Sequence, residues 1–335
     1  MDNKLLTITV PAYNAEKFLN KGIPTMLDER IRGDIEVIIV DDGSRDNTAI
    51  IADEYEKKYP QTVRVVHKEN GGHGSGVNTG IKFATGKYFC VIDADDWVDT
   101  ENFVRLISEM KQKDSDLFLA QAAKVTPDGI VFGYERIDNV PYEKEVVLNN
   151  YIDKIKNVEM HNYFIKTKIL RKANVRCHEH HFYVDMEYVL YSLMYVKTAT
   201  IFNMAVYQYL IGRDGQSVSI ASRRKNKQHY IDVVTYLNEF YQKNKNKMSA
   251  TQKRHYANRI AWFAAGHYGT LLSYKKNKNT KIEMIQFDDF LREKAPEVYC
   301  ANKNKCVAIL RMTNFRAYGL ATMIFRTVNN KRIPD

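Results

Sequence analysis

The sequence predicts an α/β fold with a mostly parallel central sheet, followed by a mainly α-helical C-terminal region. Short apolar runs rich in β-branched residues alternate with segments of helical periodicity in the first part of the chain, as in parallel βαβ units. Residues 36–40 and 88–92 are almost continuously apolar, which indicates strands buried on both faces. From about residue 220 onward, apolar residues at helical spacing replace the strand pattern.

The individual elements follow from these patterns. Apolar runs predict strands over residues 5–10, 35–40, 63–66, 88–92 and 117–122. Helical spacing continues through residues 230–241 and 256–271, and Ser249 and Thr280 are suitable N-caps for the second and third C-terminal helices. We therefore predict two domains, residues 1–219 and residues 220–335.

Composition indicates an ordinary globular protein of 335 residues, of which 44% are hydrophobic. No signal-peptide pattern opens the chain and no apolar stretch reaches the roughly 18 residues of a membrane span. The four cysteines have neither metal-ligand nor disulfide-framework spacing, so a cytoplasmic location is expected. The net charge of +10 belongs to residues 220–335, which carry 23 Lys and Arg against 8 Asp and Glu. This asymmetry indicates a polyanion or an anionic membrane as partner, or simply a solvated helical surface.

Three carboxylates, Asp93, Asp95 and Asp96, follow the predicted strand at residues 88–92. Their mutual repulsion favours a bound cation. Mg²⁺ or Mn²⁺ fits a sparse carboxylate set that a substrate diphosphate completes. The alternative is that these residues cap the helix that follows.

Two more predicted strand ends carry polar or glycine-rich segments. Asp41 and Asp42 follow the second strand, where a carboxylate can accept the imide N–H of uracil or can stabilise a turn. Residues 70–76 contain four glycines, and we predict a flexible loop there that approaches a phosphate closely. The loop is not a Walker A motif, because no Gly-Lys-Ser/Thr follows. Since parallel strand ends meet at one edge, these segments indicate a single ligand site.

Four segments in this order resemble the family 2 inverting glycosyltransferases of bacterial polysaccharide and glycoconjugate synthesis, which have the GT-A fold, a Rossmann-like α/β arrangement. The matching segments are residues 9–14 (TVPAYN), 40–48 (VDDGSRDNT), 78–81 with 84–88 (NTGI, ATGKY) and 91–96 (VIDADD). The resemblance covers roughly residues 5–219. It implies transfer of a sugar from a nucleotide-diphosphate sugar, expected to be a UDP-hexose, with Mn²⁺ or Mg²⁺ as cofactor. The acceptor would be a hydroxyl of a glycan, of a lipid-linked molecule or of another cell-surface polymer.

The resemblance also implies residue roles in donor binding. Asp95 would ligate the metal, and Asp93 would lie near the ribose or the water shell of the metal. Arg213 would contact the donor diphosphate, together with the segment that contains Ser217. The full set of expected donor-binding residues is Pro11, Tyr13, Asp41, Asp42, Asn78, Asp93, Arg213 and Ser217.

Asp185 occupies the position of the family's catalytic base, which takes the proton of the acceptor hydroxyl. Val184 stands where the family usually has an acidic residue, and Val77 where it commonly has arginine. Glu187 is the alternative base, although its spacing directs it away from Asp185 on a helix. Without the resemblance, both carboxylates would be interpreted as surface residues of a helix.

Three residues are candidates for acceptor binding. Trp97 directly follows the acidic cluster, where it can stack on a sugar ring or pack at the rim of the core. His180 and His181 lie just before the predicted base and can bond sugar hydroxyls. A zinc site formed with His178 is the weaker alternative, because the remaining ligand spacing is missing.

Two different functions are the rivals. Aspartate-nucleophile phosphatases also place Asp-x-Asp at a strand end, but they have it early in the chain. A nucleic-acid-binding role for the basic region lacks a recognition motif, so no nucleic acid partner is expected. The apolar and cationic residues 314–326 instead predict an interfacial helix that attaches peripherally to an anionic membrane. Packing of this helix on the catalytic domain or in a homo-oligomer explains its apolar face equally well.

Overall fold

The computed structural model describes residues 4–155, 158–213 and 216–329. The chain divides into two units, residues 1–213 and residues 214–335. The division falls shortly before the boundary predicted at residues 219 and 220.

The first unit is an α/β structure. Its strands are β1 (Leu6–Ala12), β2 (Ile35–Asp41), β3 (Val63–His67), β4 (Tyr88–Val91), β5 (Trp97–Val98), β6 (Leu117–Val125), β7 (Val131–Glu135), β8 (Glu145–Val147), β9 (Tyr163–Lys166) and β10 (Thr198–Leu210). Its helices are α1 (Leu19–Met26), α2 (Thr48–Lys58), α3 (His73–Phe83), α4 (Thr100–Lys111), α5 (Thr167–Lys172) and α6 (Asp185–Leu193). Short 3₁₀ turns cover Leu148–Asn150 and Met160–Asn162.

Within the described residues, the strands form one sheet in the order β3-β2-β1-β4-β9-β6-β10-β5, with β7 beside β6 and β8 beside β10. The strands β3, β2, β1 and β4 run parallel to one another. Every residue of β1, β2 and β4 is buried, as their continuous apolar sequences predict. This arrangement confirms the predicted α/β class and its parallel centre. Antiparallel strands such as β9 extend the sheet beyond β4.

The carboxyl ends of the parallel strands lie at one edge of the sheet. Ala12, at the end of β1, pairs with Asp41, at the end of β2, and Asp41 pairs with His67 of β3. Thr9 of β1 pairs with Val91, the last residue of β4. The segments that follow these strands therefore open toward the same edge, as the sequence predicts.

The glycine-rich segment after β3 differs from its prediction as a flexible loop, because α3 begins at His73 and includes most of it. Gly76 of this segment and Gly80 farther along α3 allow the helix to pack very closely on β1. A Cβ atom built on Gly76 would lie 2.7 Å from Cβ of Pro11, and one on Gly80 would lie 1.9 Å from Oγ1 of Thr9. Close packing against the strand thus explains these glycines better than loop flexibility does.

The second unit is helical, as predicted. Its helices are α7 (Ile220–Lys225), α8 (Lys227–Asn244), α9 (Ala250–Ser273), α10 (Lys278–Lys294), α11 (Pro296–Ala301), α12 (Lys305–Met312) and α13 (Tyr318–Val328), with a 3₁₀ turn at Lys245–Lys247. Ser249 caps α9 in a capping box with Gln252, which confirms that prediction. The prediction for Thr280 is wrong, because the side chain of Asn277 caps α10 by accepting from the backbone N–H of Thr280.

The segment predicted as an interfacial helix, residues 314–326, begins with a turn, and the helix α13 starts at Tyr318. Asn314 and Phe315 adopt positive φ angles of 44° and 58°, which ends α12 and redirects the chain. None of the helices in the described part of the chain has the length and apolar character needed to cross a membrane.

Candidate active site

The acidic segment after β4 places two differently partnered carboxylates at the edge of the sheet. Oδ1 of Asp93 lies 2.9 Å from Nε2 of His73, the first residue of α3. Burial disfavours the charged carboxylate of Asp93, but its bond to His73 and the nearby positive charges lower its pKa overall. Asp93 is therefore held as an anion in a part-buried position.

Asp95 is paired with Arg213, the cation that the resemblance assigns to the donor diphosphate. Oδ2 of Asp95 accepts from Nε of Arg213 at 2.6 Å and lies 2.5 Å from its Nη2. The guanidinium also lies over the ring of Phe18, 5.1 Å from its centroid. Burial and the negative charge of Asp93 raise the pKa of Asp95 despite this pairing. A further positive charge would therefore favour the carboxylate form of Asp95.

Asp96 has a structural role, because its carboxylate is bonded to β10. Its carboxylate accepts from Oη of Tyr207 at 2.6 Å and from the backbone N–H of Leu210 at 2.8 Å. The Tyr207 hydroxyl oxygen in turn accepts from the backbone N–H of Asp93 at 3.2 Å. Burial and the charges of Asp95 and Asp93 raise the pKa of Asp96 well above its ordinary value. Asp96 thus ties the acidic segment to β10.

His73 contacts Asp93, and the charges of the other predicted catalytic carboxylates affect its pKa. Burial opposes its charge, but the bond to Asp93 and the negative charges of Asp93, Asp185 and Asp95 outweigh burial and raise its pKa. Asp185 is the first residue of α6 and follows Tyr183, whose φ of 67° turns the chain into this helix. The predicted base therefore lies within electrostatic reach of the acidic segment, about ninety residues away in sequence.

Asp41 and Asp42 hold the loops that follow β2 and β3. Oδ1 of Asp42 accepts from Nζ of Lys68 at 2.8 Å and from the backbone of Gly71 at 3.0 Å. Its Oδ2 accepts from the backbone of Gly72 at 2.7 Å and from the side chain of Asn70 at 3.1 Å. These four bonds use the acceptor capacity of one carboxylate.

Asp41 accepts from the backbone N–H of Ser44 and contacts Nδ1 of His67, each at 3.0 Å. Burial disfavours its charge, but the bonds to Ser44 and His67 lower its pKa overall. Of the other two expected donor-binding residues at this edge, Pro11 lies buried at the end of β1 and Tyr13 is 49% exposed just beyond it. Their contact with the donor remains a prediction.

Asn78 and Glu187 position the loop that precedes the predicted base. The Asn78 side chain donates to the carbonyl of Cys177 at 2.9 Å and accepts from its N–H at 2.8 Å. Glu187 is buried, and its Oε2 accepts from the backbone of His178 at 2.9 Å and contacts Nδ1 of the same residue at 3.0 Å. Asn78 therefore supports the backbone of the loop at Cys177. Glu187 is buried rather than on the helix surface.

The predicted acceptor residues lie in two places. His180 has a φ of 57°, and its backbone N–H donates to the carbonyl of Gly71 at 2.6 Å. Its side chain lines a cleft of about 960 Å³ between α3 and its own loop. Nδ1 of His181 lies 2.8 Å from the carbonyl oxygen of Glu179. Trp97 lies on β5, where Nζ of Lys21 is 3.5 Å from its ring centroid.

Ser217 lies in a turn of the second unit, before α7. Its predicted contact with the donor diphosphate remains a prediction. The other residues predicted from the resemblance all belong to the first unit.

The sequence does not predict a part-buried ion pair between His161 and Glu135. Nε2 of His161 lies 2.5 Å from Oε2 of Glu135, and Nζ of Lys124 lies 3.1 Å from the other oxygen. The His161 ring stacks on Tyr209 with centroids 5.3 Å apart. No local motif marks this pair, because its members come from β7 and a 3₁₀ turn. His73 was detectable in principle, since it follows a strand that ends at the ligand edge.

The acidic segment fits a hard divalent cation by the chemistry of its donors. Asp93 and Asp95 offer carboxylate oxygens, which Mg²⁺ and Mn²⁺ prefer. The pairing of Arg213 with Asp95 also shows that this carboxylate attracts positive charge. Across residues 4–155, 158–213 and 216–329, no group of three or more His, Cys, Asp or Glu side chains is arranged to hold a metal.

Sequence comparison identifies similar proteins among bacterial glycosyltransferases. The family model described as Glycosyl transferase family 2 matches residues 7–178. The uncharacterized glycosyltransferase EpsJ of Bacillus subtilis is 42% identical over 113 residues, which are 34% of this chain and 32% of EpsJ. The poly(ribitol-phosphate) β-glucosyltransferase of Bacillus spizizenii is 25% identical over 221 residues, 64% of this chain and 34% of that protein. The chain thus spans about a third of the length of these relatives.

Solved structures with a similar fold cover nearly the whole chain. The complex of Staphylococcus aureus TarS 1–349 with UDP-GlcNAc has a TM-score of 0.72 at 19% identity, covering 96% of this chain and 92% of that one. The mannosyltransferase PcManGT of Pyrobaculum calidifontis, in complex with GDP-Man and Mn²⁺, has a TM-score of 0.50 at 15% identity, covering 97% and 87%. These likenesses confirm the predicted GT-A fold.

Proposed function

Because the chain belongs to glycosyl transferase family 2, we propose that it transfers a hexose from a UDP-sugar to an acceptor hydroxyl, with inversion and with one divalent ion. The observation that carries this proposal is the paired acidic segment at the ligand edge of the sheet, where Asp93 contacts His73 and Asp95 contacts Arg213. The negative charge of Asp185 also helps to raise the pKa of His73. The charges of three carboxylates in one small region suit a site that binds a cation and moves a proton.

The donor assignment follows from the chemistry of the sheet edge. Tyr13 offers an exposed ring beside the ends of β1 and β2, and Asp41 a buried carboxylate. The TarS complex contains UDP-GlcNAc, which supports a UDP-sugar as the donor here. The name of the poly(ribitol-phosphate) relative supports a cell-surface polymer as the acceptor. A lipid-linked or other glycan hydroxyl has the same chemistry.

Asp95 would hold the divalent ion, with Asp93 beside it. When bound, the ion stabilises the negative charge that develops on the departing nucleoside diphosphate. Arg213 pairs with Asp95, and its planar guanidinium suits bidentate contact with a diphosphate. His73 keeps Asp93 in place through its bond to Oδ1.

Asp185 is the proposed base. The acceptor oxygen forms a bond to the anomeric carbon while the bond between that carbon and the diphosphate oxygen breaks. The acceptor proton passes to the Asp185 carboxylate. Asp185 is the first residue of α6, at the helix end where the dipole interacts favourably with an acidic side chain. The burial of Glu187 and its contact with His178 support Asp185 rather than Glu187 in this role.

The Asp185→Asn variant tests this assignment. We expect it to bind UDP-sugar with Mn²⁺ as the unmodified protein does, but to transfer sugar at least about a hundredfold more slowly, since the positioned base is lost. Transfer is measured from labelled UDP-glucose and UDP-GlcNAc to a wall preparation containing teichoic acid. The control is Asp289→Asn, the same change on an exposed helix of the second unit. Equal transfer by Asp185→Asn and the unmodified protein would refute the base assignment.

A further inference from the structure

Among the described residues, the last two helices, α12 and α13, present apolar faces to solvent. On α13, Leu320, Met323, Ile324 and Val328 follow helical spacing along one face. On α12, which contacts α13, Ile309 and Met312 are exposed in the same way. We call these six residues the α12–α13 apolar surface. Their exposed fractions lie between 53% and 84%, whereas such large side chains are ordinarily buried when they follow one helix face.

The opposite face of α13 already anchors the helix in the second unit. Tyr318 and Thr322 are buried. The Phe325 ring lies 3.5 Å from where a Cβ on Gly269 of α9 would be, and Nη1 of Arg326 donates to the carbonyl of Ser273 at 2.6 Å. The apolar surface is therefore not needed to hold the helix in its own unit, and another occupant must account for it.

Exposed cationic side chains occur beside α13 and in the turn between α12 and α13. The Lys276 side chain lies beside Gly319 in the first turn of α13, about 3.1 Å from the position of a Cβ there. Its neighbours Lys275 and Lys278 are exposed, and so is Arg316 between the two helices. Residues 298–334 contain seven Lys and Arg but no Asp or Glu. An apolar face with a cationic rim is complementary to the interface of an anionic bilayer, where apolar side chains enter the acyl boundary and cations meet headgroup phosphates.

We propose that the α12–α13 apolar surface binds the surface of an anionic lipid bilayer, with α13 lying in the plane of the interface. This binding needs neither donor nor acceptor, so it is tested independently of the transferase activity. A second copy of this chain is the competing occupant, and the experiment below distinguishes the two.

The test is co-sedimentation of the full chain with vesicles, at low salt, using phosphatidylcholine alone or mixed with phosphatidylglycerol. We expect binding to the anionic vesicles that weakens as salt is added, because the headgroup attraction is screened. The triple change L320S/M323S/I324S should weaken binding by at least about tenfold, since it removes three side chains from the acyl boundary. The control Ile50→Ser removes an isoleucine of similar exposure, 59%, from helix α2 of the first unit and should leave binding unchanged.

A second pair of variants tests the cationic rim. Lys276→Gln and Arg316→Gln should each weaken binding to anionic vesicles about fivefold, with little effect on any residual binding to neutral vesicles. Equal binding to both vesicle types would overturn the anionic bilayer as the partner.

Three further outcomes would overturn the proposal that the α12–α13 apolar surface binds a bilayer. The first is that the folded, unmodified chain stays in the supernatant with anionic vesicles at low salt. The second is that the triple variant binds as well as the unmodified chain. The third is self-association in sedimentation velocity that the triple variant abolishes, because a second copy would then cover this surface. Circular dichroism of each variant establishes that it is folded.

Discussion

Asp93, Asp95 and Asp96 are neighbours in sequence, but their surroundings shift their pKa values in different directions. The bond to His73 and nearby positive charges lower the pKa of Asp93 against the effect of burial. Burial and like charge raise the pKa of Asp95 and of Asp96. Only Asp96 is fully committed to backbone and tyrosine contacts. The residues therefore divide into one structural aspartate and two that remain available for a ligand.

The ion pair of Glu135 and His161 makes a prediction about pH. Burial disfavours the Glu135 carboxylate, but the bonds and charges of His161 and Lys124 lower its pKa from 4.5 to about 2. Its contribution to stability is therefore present above pH 4.5 and is lost as the pH falls toward 2. In Glu135→Gln, the free energy of unfolding at neutral pH should fall by ~3 kcal/mol, and its dependence on pH between 5 and 2 should flatten.

Urea unfolding at a series of pH values measures this effect. Glu143→Gln is the matched control, because Glu143 forms an exposed pair with Arg105 that contributes at most ~1 kcal/mol. If the pH profiles of Glu135→Gln and the unmodified protein ran parallel, the ion pair would not stabilise the fold.

At the level of residues, the sequence indicated candidate site residues where a chemically suitable side chain also stands at the spacing of a known motif. The acidic segment and Asp185 stand in recognisable motifs, and the structure brings them into electrostatic reach of one another. His73 received no role, because its partner lies twenty residues away across the sheet edge. Asn78 was assigned to the donor, but its amide bonds Cys177. A motif identifies such a residue without showing which of its neighbours it contacts.

At the level of elements, the contact of α3 with β1 fixes the position of this helix on the sheet. Gly80→Ala would place a Cβ 1.9 Å from Oγ1 and 2.5 Å from Cγ2 of Thr9. Neither atom can move away freely, because Thr9 is fully buried in the sheet. We expect the free energy of unfolding to fall by about 3 kcal/mol or more, although alanine is the better helix former.

Thermal and urea unfolding measure the change, with Gly33→Ala as the control. A Cβ on Gly33 would have nothing within 4 Å, so we expect an effect within ~0.5 kcal/mol. Similar stabilities for the two variants would contradict close helix–strand packing as the reason for Gly80.

The pattern of apolar residues predicted the presence of strands and helices better than the residues at which they begin and end. The buried strands β1, β2 and β4 were predictable because burial on both faces leaves a continuous apolar sequence. The start of α3 was missed because its glycines also suit a loop, and only their contact with β1 distinguishes the two. The prediction of Thr280 as the N-cap of α10 failed because Asn and Thr are both suitable N-cap residues. The structure shows that Asn277 is the residue that caps this helix.

At the scale of the whole molecule, the two units differ in chemistry. The first unit contains the acidic segment, the predicted base and the predicted donor-binding residues other than Ser217. The region from residue 220 onward carries most of the net positive charge. This charge asymmetry is visible in the sequence without any structure. The α12–α13 apolar surface was only partly predictable, since sequence could not show which face of α13 packs on α9.

We propose that this chain binds a nucleotide-diphosphate sugar through a divalent ion held at Asp95. Calorimetric titration of the full chain with UDP-glucose, UDP-GlcNAc and GDP-mannose, with Mn²⁺ or with a chelator, tests it directly. We predict that at least one UDP-sugar binds with Mn²⁺. Its affinity should fall at least about tenfold with the chelator or in Asp95→Asn and stay unchanged in Asp289→Asn. Equal affinity with and without the ion, or in Asp95→Asn and the unmodified chain, would show that no ion at Asp95 takes part in donor binding.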